Sequence, residues 1–282
     1  MKTYKLLAIF FIVALAFAAC DREDEPYLEY QGSINPDDTT VMIRKILIEK
    51  FTGHRCVNCP QGNIIANNIH NLYGSQIVIV AIHAGFDSEP AGIPFDADFR
   101  TTAGNELDSY FQVPFYPTGM VNRTEYSGET VMFINKWESA TNELINLPPE
   151  ANIKFTSVYD AGTRKVNIEG QVEFLADLQG KYNLCVFILE NGIISPQKNN
   201  DPNIGPSPDW IDYVHNHMLR TTDQHGTWGV EITAIGGSNG DTFDFSSNAS
   251  LAADWDEANI EIVAFLINRD TEVVVQAEAK DM

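Results

Sequence analysis

Residues 51–60 read Phe51-Thr52-Gly53-His54-Arg55-Cys56-Val57-Asn58-Cys59-Pro60, and the fold is decided by what flanks them. Upstream, Ile43 to Phe51 reads as a strand whose Ile46-Leu47-Ile48 centre is uninterrupted, as expected when both faces of a sheet are covered. Downstream, Pro60 to Tyr73 places Ile65, Ile69 and Leu72 at i, i+4 and i+7, one helical stripe. Gln76 to His83 then supplies a second apolar strand. Strand, helix and strand with short connections make a βαβ unit, nearly always right-handed and parallel.

Cys56 and Cys59 fall where the first strand gives way to the helix. Unpaired N–H groups at a helix start favour negative charge, which stabilises a Cys56 thiolate, the reactive form of cysteine. Arg55 adds a positive charge beside it, and His54 precedes it. Cys59, three residues on, is placed to resolve a mixed disulfide by intramolecular attack. Pro60 costs little in the first turn, whose N–H groups lack helical partners anyway. A structural disulfide without turnover is the competing reading in an oxidising compartment. Zinc would need two further ligands, and no second pair with this spacing exists, so neither metal nor cofactor is expected. Cys185, inside Leu184-Cys185-Val186-Phe187, reads as a buried inert thiol.

Residues 41–149 resemble a thioredoxin-like domain. That resemblance implies a cis-proline opposite the cysteines, and Tyr116-Pro117-Thr118 stands at the matching place, with Pro114 as the competing candidate. It implies that Cys56 and Cys59 are catalytic and that Tyr116, Pro117 and Thr118 receive an extended substrate, with His54 and Arg55 tuning the thiolate. Three departures leave the redox direction open. Lys50 stands where such domains carry a buried acid, with Glu49 its neighbour; Arg55 replaces the usual Trp; and Val57-Asn58 lies between the cysteines.

Further along, Asn105 to Phe111 reads as a short helix, Val113 to Asn122 as strand, and Glu129 to Leu147 as a helix ended by Pro148-Pro149. After Pro149 the pattern shifts to short alternating segments, beginning with Val166, Ile168, Val172 and Phe174, with Gly and Asn turns. That pattern predicts an antiparallel β-sandwich over residues 150–282. His83 ends the second strand and reads as satisfied by backbone. His215 and His217 share a face of an alternating strand and read as solvated.

The N-terminus is an address. Lys2 and Lys5 precede an apolar run from Leu6 to Ala19, shorter than the ~20 residues a spanning helix needs, so residues 1–19 read as a signal peptide. Ala18-Ala19-Cys20 resembles a bacterial lipobox, which implies lipidation of Cys20. Residues 20–40 read as an acidic tether, and Asp21-Arg22-Glu23-Asp24-Glu25 is similar to acidic surface-export signals.

The 282 residues carry a formal charge of −21 and are 44% hydrophobic, which excludes wholesale disorder and disfavours nucleic acid. The mature chain also resembles the outer-membrane lipoprotein family named for a twenty-eight-kilodalton surface antigen of Gram-negative anaerobes. Residues 51–60 carry that resemblance, together with His215-Asn216-His217-Met218-Leu219-Arg220 and Gly226-Thr227-Trp228-Gly229. It implies an exported outer-membrane lipoprotein, exposed at the cell surface. The expected partners are the membrane, through lipidated Cys20, and thiol-containing proteins or host surface ligands. Two function classes stay open: thiol–disulfide exchange on extended proteins, and a non-enzymatic adhesin in which Cys56–Cys59 is a staple and Asn199 to Trp210 a contact loop.

Overall fold

The computed structural model describes residues 42–282. The signal peptide, Cys20 and the acidic tether lie outside these residues.

The βαβ unit forms as the sequence predicts. Strand β1 (Ile46–Thr52) and strand β2 (Ile77–His83) pair in parallel from Ile46↔Ile77 to Thr52↔His83, joined by helix α1 (Cys59–Tyr73). Their unbroken apolar runs follow from double coverage. Ile46, Ile48, Ile77 and Ile79 pack with Ala66 and Ile69 of α1 and with Trp137. Leu47, Phe51, Val78, Val80 and Ile82 face the other way into a second cluster. Helix α1 is rotated from the expected stripe: Gly62, Ala66 and Ile69 are buried, whereas Leu72 is 61% exposed. Small residues win the inner face because the helix lies close to its neighbours.

Helix α2 (Thr102–Tyr110) is capped by the Thr101 side chain, which accepts the Gly104 N–H at 2.9 Å. Strand β3 (Thr118–Val121) runs antiparallel to β1, and strand β4 (Met132–Phe133) pairs with β3. The helix expected from Glu129 is therefore shorter. Met132 and Phe133 satisfy their main chain on the sheet edge, and helix α3 covers only Trp137–Leu144.

Beyond residue 150 the alternating pattern forms strands β5 (Ala151–Asp160), β6 (Lys165–Phe174), β7 (Tyr182–Glu190), β8 (Met218–Thr222) and β9 (Val230–Thr233). Strands β10 (Thr242–Ser250), β11 (Ile260–Asn268) and β12 (Val274–Asp281) complete it. A three-stranded sheet, β10-β6-β5, stacks on β7 and β11 through Ile153, Phe155, Val172, Phe174, Val186 and Ile262. Those two strands belong to a larger, nine-stranded sheet in the order β12-β11-β7-β8-β2-β1-β3-β4, with β9 also paired to β7. The N- and C-terminal halves share it: Met218 of β8 pairs in parallel with Ala81 of β2, and the His217 carbonyl accepts the Ala81 N–H at 2.7 Å. The sheet curls until β12 reaches β1, where Gln276 Oε1 accepts the Lys45 N–H at 2.7 Å. The fold is mixed α/β, with one large β-rich sheet and smaller sheets around it.

Candidate functional site

Cys56 and Cys59 form a disulfide with an S–S distance of 2.09 Å and Cα atoms 5.4 Å apart. Helix α1 begins at Cys59, with Pro60 in its first turn, so Cys59 and not Cys56 occupies the helix start. Cys56 belongs to the preceding turn, its N–H donating to the Gly53 carbonyl at 3.1 Å. Both are buried, at 4% and 1% exposure.

A distant segment pairs with the cysteine loop. The Lys198 N–H donates to the His54 carbonyl at 2.7 Å, and the Asn200 N–H donates to the Val57 carbonyl at 3.1 Å. Between them the Gln197 amide donates to the Gly53 and Cys56 carbonyls at 3.2 and 2.9 Å. Residues 197–200 thus lie across the cysteine loop like an added strand. The expected contact loop turns inward at its start, because the Asn199 amide is buried and donates to the carbonyls of Asp201, Gly205 and Pro206. Nothing local in the sequence signals this strap, since its partners lie 141 to 144 residues away.

The flanking Arg55 and His54 take different roles. The Arg55 guanidinium stacks over Phe86 at 4.2 Å and donates to the Glu89 carbonyl at 3.2 Å. His54 is buried between Phe95 and Phe99, with ring centroids 5.8 and 5.3 Å away. Burial first, then the Arg55 charge, pushes its pKa down to about 4, so the ring is neutral at pH 7.

The Tyr116–Pro117 bond is cis, and Pro114 is not among the cis prolines. Pro117 packs on α1 at Gly62: a Cβ added there would lie 3.0 Å from the Pro117 Cβ. A larger residue would wedge the proline segment off the helix one turn past Cys59. Thr118 Oγ1 donates to the Phe115 carbonyl at 2.8 Å, and the Tyr116 hydroxyl donates to Asp108 at 2.5 Å. Among the described residues the Tyr116 main chain has no hydrogen-bond partner.

A group of buried bases, Lys50, His83 and His215, lies close enough for their charges to act on one another. Lys50 follows Ile46 and Ile48 in the row of β1 that faces α1; it is buried, and its ammonium donates to Asn63 Oδ1. Desolvation lowers its pKa to about 7. His83 and His215 lie with ring centroids 5.5 Å apart, and Phe99 contacts both. Burial depresses His215 to about 3 and His83 well below its ordinary value. Neither ring nitrogen of His54 or His83 finds a hydrogen-bond partner; the Ala81 main chain approaches His83 without reaching good geometry. His83 is therefore not satisfied by backbone. Nor do His215 and His217 share a solvated face. The chain turns at His217 (φ 55°), which pairs with Glu261 at 2.8 Å, while His215 points inward and reaches the Ser195 carbonyl at 3.2 Å. Cys185 is buried, and desolvation pushes its thiol up to about 12. Among the described residues no group of three or more His, Cys, Asp or Glu is placed to hold a metal ion.

The fold is similar to that of HBP35 of Porphyromonas gingivalis, with a TM-score of 0.64 and 18% identity, covering 86% of this chain and 76% of that one. At that identity the likeness shows the fold alone. A domain of the outer membrane lipoprotein Omp28 from Porphyromonas gingivalis matches at 19% identity and a TM-score of 0.32, covering 48% of this chain and 88% of that one. No curated protein matches the chain. Among the described residues no helix is long and apolar enough to cross a membrane. The sequence pattern of the family described as outer membrane protein Omp28 matches residues 104–282, more than half of the chain, and the chain accordingly belongs to that family.

Proposed function

We propose that this chain is a lipid-anchored, surface-exposed outer-membrane protein that exchanges disulfides with extended thiol-containing polypeptides. Residues 41–149 form its thioredoxin-like part, and residues 150–282 form a β-sandwich partner that covers and gates the cysteines. Cys56 takes the attack, Cys59 resolves, and the Tyr116 main chain beside cis-Pro117, with Thr118, receives the partner. One observation carries this reading: the disulfide opens α1, and the cis-proline segment rests on that helix at Gly62, one turn on. Strap residues 197–200 must lift before a polypeptide reaches Cys56. The test is insulin reduction by the full chain beside a Cys56→Ser variant; equal rates remove the activity. Loss of acyl-chain incorporation in Cys20→Ser, with protease sensitivity on intact cells, tests the anchor and the exposed face.

A second reading, a binding module with a stapled loop, is favoured by the low exposure of both cysteines, since labile bridges are usually exposed or strained. Its ligand site would be an open cleft of about 560 Å³ lined by Arg100, Glu106, Arg220 and Trp228. Binding to a host glycan or matrix protein that survives loss of both cysteines, and fails on Trp228→Ala, would select it.

A further inference from the structure

We propose that Lys50 is the proton donor and acceptor for Cys59, working among a group of buried bases. The proposal rests on the exchange reading above, but its test needs no protein partner.

Position comes first. Lys50 projects from β1 toward α1, and its ammonium donates to Asn63, which lies four residues after Cys59 and so one turn along the same helix face. Asn63 is itself held from the far side, its amide donating to the Tyr213 hydroxyl. The Lys50 amine is therefore fixed at the end of the helix that carries the buried Cys59 sulfur.

Charge comes second. The titratable groups whose charges meet that of Lys50 are His83 from β2 and His215 from the segment after the strap, with Tyr213 reached through Asn63 and His54 acting on both imidazoles. No carboxylate pairs with Lys50. Glu49 projects through the opposite face of the sheet and is taken by Arg123, and Asp98 acts on His54 alone among these bases. Four buried groups able to become cations, with no buried anion to share, are a costly arrangement for a staple. They form a sensible one around sulfurs that become anionic when their bond breaks.

The chemistry balances. A thiolate of an incoming dithiol attacks Cys56 Sγ and forms a new S–S bond while the Cys56–Cys59 bond breaks. The electron pair stays on Cys59 Sγ, which takes the proton of the Lys50 ammonium. In the reverse direction the neutral Lys50 amine removes the Cys59 proton. The Cys59 thiolate then attacks Cys56 Sγ, and the partner sulfur leaves with its electron pair. Because burial leaves Lys50 titrating near neutrality, both forms are available at pH 7.

The test loads Cys56 of the reduced full chain with thionitrobenzoate and follows release of the dye as Cys59 attacks. The wild-type rate should reach half its maximum near pH 7. In Lys50→Met the midpoint should move up by at least one pH unit, and the rate at pH 7 should fall at least tenfold. An unchanged midpoint and rate would overturn the proposal. Should Lys50→Met not fold, the ¹⁵N shift of the Lys50 side chain in the wild-type protein decides instead. Its titration midpoint should rise by at least one unit on reduction of the disulfide, and equal midpoints in the two states sink the idea. Fast, Lys50-dependent dye release without turnover of peptide dithiols would remove the exchange reading and leave this one standing. Peptide turnover with a Lys50-independent pH profile would do the reverse.

Discussion

Glu49 and Lys50 are neighbours in one strand, both buried, pointing through opposite faces of the same sheet. On one face Glu49 meets Arg123 in a two-pronged ion pair, both bonds 2.7 Å, with Phe111, Trp228 and Phe265 around the guanidinium. On the other face Lys50 meets the Asn63 amide and faces the charges of two imidazoles, His83 and His215, and no acid pairs with it. The contrast separates two uses of buried charge. A charge with its partner is satisfied and fixes one arrangement of the sheet, whereas an unpaired group stays poised to change protonation state.

Breaking the pair should give the largest effect. Glu49→Gln leaves Arg123 as an uncompensated buried cation, with an expected loss of about 3–5 kcal/mol in urea unfolding. If the loss is under about 1 kcal/mol, the pair is not holding the sheet.

Removing the unpaired base should do the opposite. The Lys50 pKa falls from 10.5 to about 7 on folding, so between those values the unfolded chain holds the extra proton and wild-type stability rises with pH. Lys50→Met should abolish that rise and add ~3 kcal/mol at pH 6, read from denaturation curves across pH 6–10. A variant less stable than wild type at pH 6 would contradict the contrast.

The imidazoles act in the acid range with a definite sign. His54, at about 4, and His215, at about 3, take up protons more readily when unfolded, at the ordinary 6.5. Their contribution is therefore intact above pH 6.5 and is lost as pH falls below it. Thermal unfolding between pH 7 and 4 should show the loss, and His215→Phe should flatten it by ~2 kcal/mol.

The smallest effect concerns the strap that lies across the cysteine loop. Gln197→Ala removes the amide that binds the Gly53 and Cys56 carbonyls, about 1–2 kcal/mol of hydrogen bonding. Reduction of the disulfide by dithiothreitol should then speed up roughly 5–30-fold. No acceleration would mean that the strap does not limit access.

How much of this was legible depends on the distance over which each feature is set. The βαβ unit was readable because Ile46-Leu47-Ile48 and Ile77-Val78-Ile79 are continuous runs whose burial on two faces demands such sequences. The cis bond at Tyr116–Pro117 was placed by resemblance, and the structure carries it there. Residues 129–147 do not form one helix, because Met132 and Phe133 answer to strand β3 and not to their own period. His217 departs from the pattern because alternation along a strand cannot foresee a residue in the left-handed region. Lys50 stood out as a departure from a pattern, yet no spacing rule joins it to His83 and His215, which lie 33 and 165 positions away.

The amino-acid order by itself determined strands β1 and β2, the helix between them and the proximity of Cys56 to Cys59, since these depend on backbone propensity and on contacts within a few residues. Only the tertiary structure decided what surrounds the sulfurs. The strap, the orphaned imidazoles and the acid-free setting of Lys50 arise where distant segments exclude water together. That exclusion, and not any residue's intrinsic chemistry, sets which protons those groups hold.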